Sequence, residues 1–181
     1  YGPKGIGALY ISSGTKLEKI ITGGYQERNR RAGTENIPAI AGFAKATELA
    51  YSIIHAESQR EKELRDYMET LIFEQIPSVT INGNLNNRLS NISNLTIDNA
   101  MAESILFNLD LRGICISAGS ACSSGTLNPS HVLLALGHDT KMAKSSIRVS
   151  LGKFNTKEDI DEFVKQLELV VEQERNLSDL Y

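Results

Sequence analysis

Apolar and polar positions alternate along this chain in two different rhythms. Ile6 to Ile11 is a short apolar run containing Tyr10, entered through Gly2-Pro3-Lys4-Gly5, and it reads as a buried strand. After Asn36, an N-cap, and Pro38, which a first helical turn accepts, the spacing becomes helical. Ile40, Ala41, Ala44, Leu49, Ile53 and Ile54 keep one stripe, and Leu64, Tyr67, Met68, Leu71 and Ile72 keep a second that ends before Pro77. Between the stripes, His55 to Glu63 is polar and charged, as expected where a long helix crosses solvent between two packed bodies. The division is therefore placed there, with residues 1–57 in one domain and residues 58–181 in another. His55 reads as a solvated helix residue.

Short strands and helices fill the remainder. The spacing predicts strands over 79–82 and 89–97, a helix over 100–109 capped by Asp98 and closed at Arg112-Gly113, and a third strand over 114–117. Cys115 within that strand reads as a small buried hydrophobe. Ser130 is positioned to cap a helix over 131–136 that Gly137 ends, and a further helical turn follows Asp139. Ser146 to Leu151 reads as a strand in which Arg148 shares a face with Ser146 and Ser150, opposite Ile147 and Val149. Thr156 and Asp159 form a capping box ahead of Ile160, Phe163, Val164, Leu167 and Val171, which repeat at helical spacing. The fold class is mixed, α/β and α+β.

Composition adds limits. Of the 181 residues, 41% are hydrophobic and 23% charged, the balance of a globular protein. A net charge of −3, with 19 basic and 22 acidic residues interspersed, gives no reason to expect nucleic acid or an anionic membrane. No apolar run approaches the ~18 residues of a membrane span, and the opening residues lack the regions of a signal peptide. Two cysteines are too few for a disulfide framework, which points to a reducing, cytoplasmic setting. The chain opens without methionine on an apolar run, so it is expected to be part of a longer polypeptide.

Three places can carry chemistry. The loop from Ser117 to Gly125 surrounds Cys122 with glycine, serine and alanine, which suits a thiol that must travel; the alternative is a surface loop with an incidental cysteine. Glycine turns bracket the cationic segment Tyr25 to Asn36, where Arg28, Arg30 and Arg31 could hold a phosphate or carboxylate, or simply decorate a solvated hairpin tip. Arg148 offers a floor for a carboxylate site, or lies on a solvated sheet face. His131 and His138 have no paired spacing for a metal.

Four motifs occur in one order across nearly the whole chain: Tyr1 to Gly7; Gly23-Gly24 with Gln26-Glu27-Arg28 and Arg31 to Asn36; the Ser117 to Gly125 loop; and Ser145 to Gly152. In these the chain resembles cysteine desulfurases of the NifS/IscS type, and Pro129 to Leu133 looks like the NifS branch. The resemblance implies a fold-type I transferase dependent on pyridoxal 5'-phosphate (PLP), homodimeric, with active sites that use both subunits. Residues 1–57 then correspond to the end of the large PLP-binding domain and the start of a connecting helix, and residues 58–181 to the small C-terminal α+β domain carrying the cysteine loop. The Schiff-base lysine of the family stands before the segment matching Tyr1; Lys4 matches the second lysine of that string and is not assigned the role. The N-terminal half is thus an implied partner, and the isolated fragment is expected to be inactive.

The resemblance also implies roles. Cys122 matches the catalytic thiol that takes sulfur from L-cysteine as a persulfide and releases L-alanine, for iron–sulfur assembly or thiolation through a sulfur-acceptor or scaffold protein. Through that persulfide, Cys122 is also the candidate ligand of a transient iron–sulfur cluster. Arg148 matches the arginine that holds the substrate carboxylate, and Thr34 the threonine that reaches the cofactor phosphate of the neighbouring subunit. A selenocysteine lyase or other class V aminotransferase shares the fold. A sulfur carrier, an iron–sulfur binding module or a structural interaction piece is the alternative of another class.

Overall fold

The computed structural model describes residues 1–118 and 129–178, a mixture of helix and antiparallel sheet. It divides into two compact units, Tyr1–Ile54 and His55–Tyr181.

In the first unit the run Ile6 to Ile11 is irregular rather than a buried strand, with Leu9 73% and Tyr10 88% exposed. A strand needs a hydrogen-bonded neighbour for its backbone, and among the described residues none pairs with this run. The cationic segment is a tight turn rather than a hairpin tip. Its one helical turn, α1 (Gln26–Asn29), carries left-handed φ at Glu27, Arg28 and Asn29, a conformation costly for side chains bearing Cβ. Asn29 Oδ1 accepts a hydrogen bond from Lys19 Nζ at 2.9 Å. Gly23, at φ +143°, closes the loop's base: a Cβ there would meet the Ala32 Cβ at 3.1 Å. Ala32 is buried and its N–H donates to the Ile21 carbonyl.

Helix α2 (Ile37–Gln75) begins where the sequence places it, with Asn36 Oδ1 accepting from the Ala39 N–H at 3.2 Å. It ends ahead of Pro77. Its two stripes fare differently. In the second, Met68 and Ile72 are fully buried, whereas Leu49, Ile53 and Ile54 in the first are about half exposed. The polar stretch between them is not bare solvent-crossing helix either. Arg60 donates to Glu57 and to the carbonyls of Gly152, at 3.0 Å, and Asn155, at 2.8 Å.

The second unit is built on an open four-stranded antiparallel sheet in the order β1-β2-β4-β3: β1 (Val79–Ile81), β2 (Ile92–Ile97), β3 (Ser117–Ala118) and β4 (Ser146–Ser150). Alternation sorts its faces. Leu95, Ile97, Ile147 and Val149 point into a core completed by Met68 and Ile72 of α2, Ile105 and Leu109 of α3 (Ala102–Asp110), and Phe163, Val164, Leu167 and Val171 of α6 (Lys157–Ser178). The expected capping box opens α6: Thr156 N–H donates to Asp159 Oδ2 at 3.0 Å, and Asp159 N–H to Thr156 Oγ1 at 3.3 Å. Two short helices, α4 (His131–Ala135) and α5 (Thr140–Lys144), lie between the cysteine loop and β4, and Asp139 caps α5 through the Met142 N–H.

Three local expectations are corrected. Helix α3 starts after Met101, not from an Asp98 cap, because the Asp98 N–H donates to the Ser78 carbonyl and Asn99 turns with φ +59°. The strand expected over 114–117 is reduced to Ser117–Ala118. Cys115 is exposed, because Ile114 and Ile116 on either side pack against the core and turn it outward.

Sequence periodicity gave no sign of the charged cluster inside this unit. Arg88 grips Glu69 with two hydrogen bonds, at 2.7 and 2.6 Å, and Ser93 Oγ donates to the same carboxylate. Arg65, also buried, donates to the Leu89 carbonyl at 2.7 Å and to Asp66. These contacts bind the connection between β1 and β2 to the side of α2.

Candidate functional site

Arg148 sits at the middle of β4, paired in register with Asn94 on β2 and with Ser117 on β3. All three are half-buried and share the face turned away from the core. Directly opposite residues on one face bring their Cβ atoms to within about 5 Å. The guanidinium has no hydrogen bond or ion pair among the described residues, although burial normally drives arginine to find a carboxylate. Planar, permanently charged and flanked by small polar side chains, it is suited to a carboxylate supplied from outside.

Next to it lies a hydrogen-bonded polar network. Thr96 and Ser146, both buried, stand 2.8 Å apart, and Ser146 Oγ donates to the Met142 carbonyl at 2.7 Å. Thr96 Oγ1 lies 3.0 Å from the Asn82 amide, which meets the Asn94 amide at 2.7 Å. Helix α5, which carries Met142, covers this end of the face. The sequence placed Ser146 and Ser150 beside Arg148 but did not single out Asn82 or Asn94. Alternation along β2 assigns Asn94 a face; only the register puts it opposite Arg148.

β3 is an edge strand, and the chain leaves it one residue past Ser117, the neighbour of Arg148. Cys122 lies beyond, outside the described residues. His131 is exposed at the start of α4 and His138 follows that helix, so neither joins the face. Among the described residues, no group of three or more His, Cys, Asp or Glu side chains could hold a metal ion, and no helix is long and apolar enough to cross a membrane.

In the first unit, Thr34, Arg30 and Arg31 line one cleft of about 850 Å³, together with Glu27, Glu35 and an apolar wall including Ile6, Leu9 and Ile21. Arg28 is not among the lining residues. The segment from Arg30 to Thr34 has the donors a phosphate requires: two guanidinium groups, a hydroxyl, and backbone opened by Gly33 at φ +102°. Arg31 Nη1 stands 3.8 Å from where a Gly33 Cβ would be, close enough to share an anion with that backbone.

The model of the aminotransferase class-V family matches residues 1–163. A cysteine desulfurase IscS of Dictyoglomus turgidum is 48% identical over 98% of this chain and 45% of its own length. One from Methanosarcina thermophila is 46% identical over 99% of this chain and 44% of its own. Among solved structures, a NifS-like protein from Rickettsia africae superposes with a TM-score of 0.77 at 37% identity, over 87% of this chain and 41% of that one. A second NifS-like protein gives 0.82 at 32% identity, over 94% and 43%. The chain thus spans less than half the length of the relatives it matches.

Proposed function

The chain belongs to the class-V aminotransferase family, and from that premise we propose that it is the C-terminal part of a PLP-dependent cysteine desulfurase. The observation that carries the reading is Arg148, a half-buried guanidinium without a counter-charge among the described residues, on the strand next to the one that leads into the Cys122 loop. Relatives named cysteine desulfurase, matched over almost the whole chain, support it.

Arg148 holds the carboxylate of L-cysteine through its planar fork, fixing the orientation of the Cα. The phosphate of PLP fits the donors on the cleft of the first unit, where Thr34 contributes a hydroxyl and Arg31 a positive charge. When bound, the cofactor acts as an electron sink that weakens the bond between Cβ and sulfur. Cys122 acts as a thiolate: its sulfur bonds to the substrate sulfur as the carbon–sulfur bond breaks, leaving a persulfide on the chain, and protonation of Cβ completes alanine. The small residues around Cys122 let the loaded sulfur leave for an acceptor protein serving iron–sulfur assembly or thiolation. The whole protein works as a cytoplasmic homodimer with the polypeptide that supplies the Schiff-base lysine.

Full-length protein supplied with L-cysteine and an excess of a thiol reductant, which reduces the persulfide and is itself oxidised to a disulfide, should release alanine and sulfide in equal amounts. Cys122→Ala should abolish persulfide while leaving the cofactor absorbance intact. An unchanged desulfurase rate in that variant defeats the assignment.

A further inference from the structure

We propose that Asn94 is a positioning residue for Arg148: its side-chain carbonyl accepts a guanidinium N–H and holds the arginine fork for the substrate carboxylate. The inference rests on the reading of Arg148 given above. The network behind Asn94 decides which of its amide atoms faces outward. The Met142 carbonyl can only accept, so Ser146 Oγ donates its one proton there, at 2.7 Å. Thr96 must then donate its own proton to Ser146, at 2.8 Å. With both hydroxyl protons committed, the Asn82 amide atom 3.0 Å from Thr96 Oγ1 has to be the donor, its nitrogen. The Asn82 oxygen is thereby the atom 2.7 Å from Asn94, and only the Asn94 nitrogen can answer it. The contact left without a proton is the approach of Asn82 to Ser146 at 3.3 Å, the longest of the set. With both amides turned the other way it would be the 3.0 Å contact between Asn82 and Thr96, where two oxygens without a proton between them repel more strongly.

Asn94 Oδ1 is left outside the network, on a half-buried side chain that shares the face and the register position of Arg148. Among the described residues no acceptor takes a hydrogen bond from that outward atom, as a nitrogen there would require. A guanidinium offers five donors and accepts nothing, so an oxygen opposite it is matched where an N–H would be opposed. One N–H resting on the carbonyl steadies the plane of the guanidinium and leaves the rest of the fork for the two oxygens of a carboxylate. Asn94 itself touches no substrate and acts through Arg148.

The test uses full-length holoenzyme and measures dissociation constants by calorimetry for L-alanine, which carries the carboxylate, and for L-alanine methyl ester, which does not. Asn94→Leu keeps the size and removes the carbonyl; it should weaken L-alanine by about ten-fold, the scale of one hydrogen bond to a charged group, and leave the ester within about two-fold. Asn94→Thr suits a strand, keeps a hydroxyl to donate to Asn82 and lacks the carbonyl. It should weaken L-alanine to a similar degree, and it decides the matter if Asn94→Leu does not fold. Both effects should vanish, to within about two-fold, when Arg148→Ala is already present, because Asn94 acts only through that guanidinium. A purely structural role would carry over onto the Arg148→Ala background and would weaken the ester as well. The inference is overturned if the Asn94 variants leave L-alanine affinity unchanged, weaken both ligands alike, or keep their cost without Arg148. Arg148→Ala by itself separates the two readings: unchanged L-alanine affinity there removes Arg148 from substrate binding, whereas a loss there with none in the Asn94 variants overturns this inference alone.

Discussion

Glu69 and Arg88 meet as a two-pronged ion pair, Nη1 to Oε1 at 2.7 Å and Nη2 to Oε2 at 2.6 Å, with the carboxylate buried beside Ser93. The pairing pushes the Arg88 guanidinium toward an even more strongly protonated state, chiefly through its hydrogen bond to Glu69 and against the effect of burial. It connects a helix of the second unit to the loop that delivers β2, the strand carrying Asn94.

Removing one partner strands the other. Arg88→Ala leaves the Glu69 carboxylate in the core with only Ser93 to answer it, and should cost about 3 kcal/mol of stability. Replacing the pair together, as Glu69→Leu with Arg88→Met, should recover most of that loss. Denaturant titration of both variants checks it; equal losses would show that packing rather than charge is at stake.

Acid should weaken the second unit through Asp66. Burial alone would raise its carboxyl, but hydrogen bonds from Lys62 and Arg65 outweigh burial and hold it below the ordinary range. Glu57 is likewise lowered, first by its hydrogen bond from Arg60. A depressed carboxyl stabilises the fold fully above the unfolded value. Below about pH 4 the unfolded chain binds protons first. The contribution therefore falls away as pH drops through the folded values. Asp66→Asn should flatten the loss of unfolding free energy between neutral pH and pH 3, and an unaltered slope would contradict the role.

The two cysteines should behave oppositely. Cys115 is exposed, so a thiol reagent should label it in the native protein, yet Cys115→Ala should keep the desulfurase rate. Cys122→Ala should lose that rate. Persulfide mapping by mass spectrometry distinguishes the sites, and sulfur found on Cys115 alone would reverse the assignment.

Arg148→Lys preserves charge but not the fork. With the carboxylate held by one ammonium, KM for L-cysteine should rise at least about ten-fold, more than kcat falls. Steady-state kinetics on the full-length protein decides it, and an unchanged KM would remove Arg148 from substrate binding.

Thr156→Ala removes one of two reciprocal hydrogen bonds at the start of α6 and should cost about 1 kcal/mol. Hydrogen exchange should speed at the first turn of α6 and not at its buried centre, where Leu167 and Val171 pack.

What the sequence determined by itself is local. Asn36 and Pro38 mark the start of α2, and Thr156 with Asp159 marks α6, because caps act across three or four residues of one helical turn. The stripe from Ile160 to Val171 sits in the core for the same reason: periodicity and burial are set by one element. Arg148's face was legible from alternation in β4, and the order of the motifs identified the family. The tertiary structure decided everything that depends on a distant partner. Ile6 to Ile11 has strand composition but no paired neighbour among the described residues. Cys115 has the residue type of a core position, yet its neighbours Ile114 and Ile116 take the inward side. Glu69 is one charged residue among many on α2 until Arg88 reaches it from a loop. Asn94 gains meaning only opposite Arg148, because register between strands is chosen by the burial of Leu95, Ile147 and Val149 together, and no single strand encodes that choice.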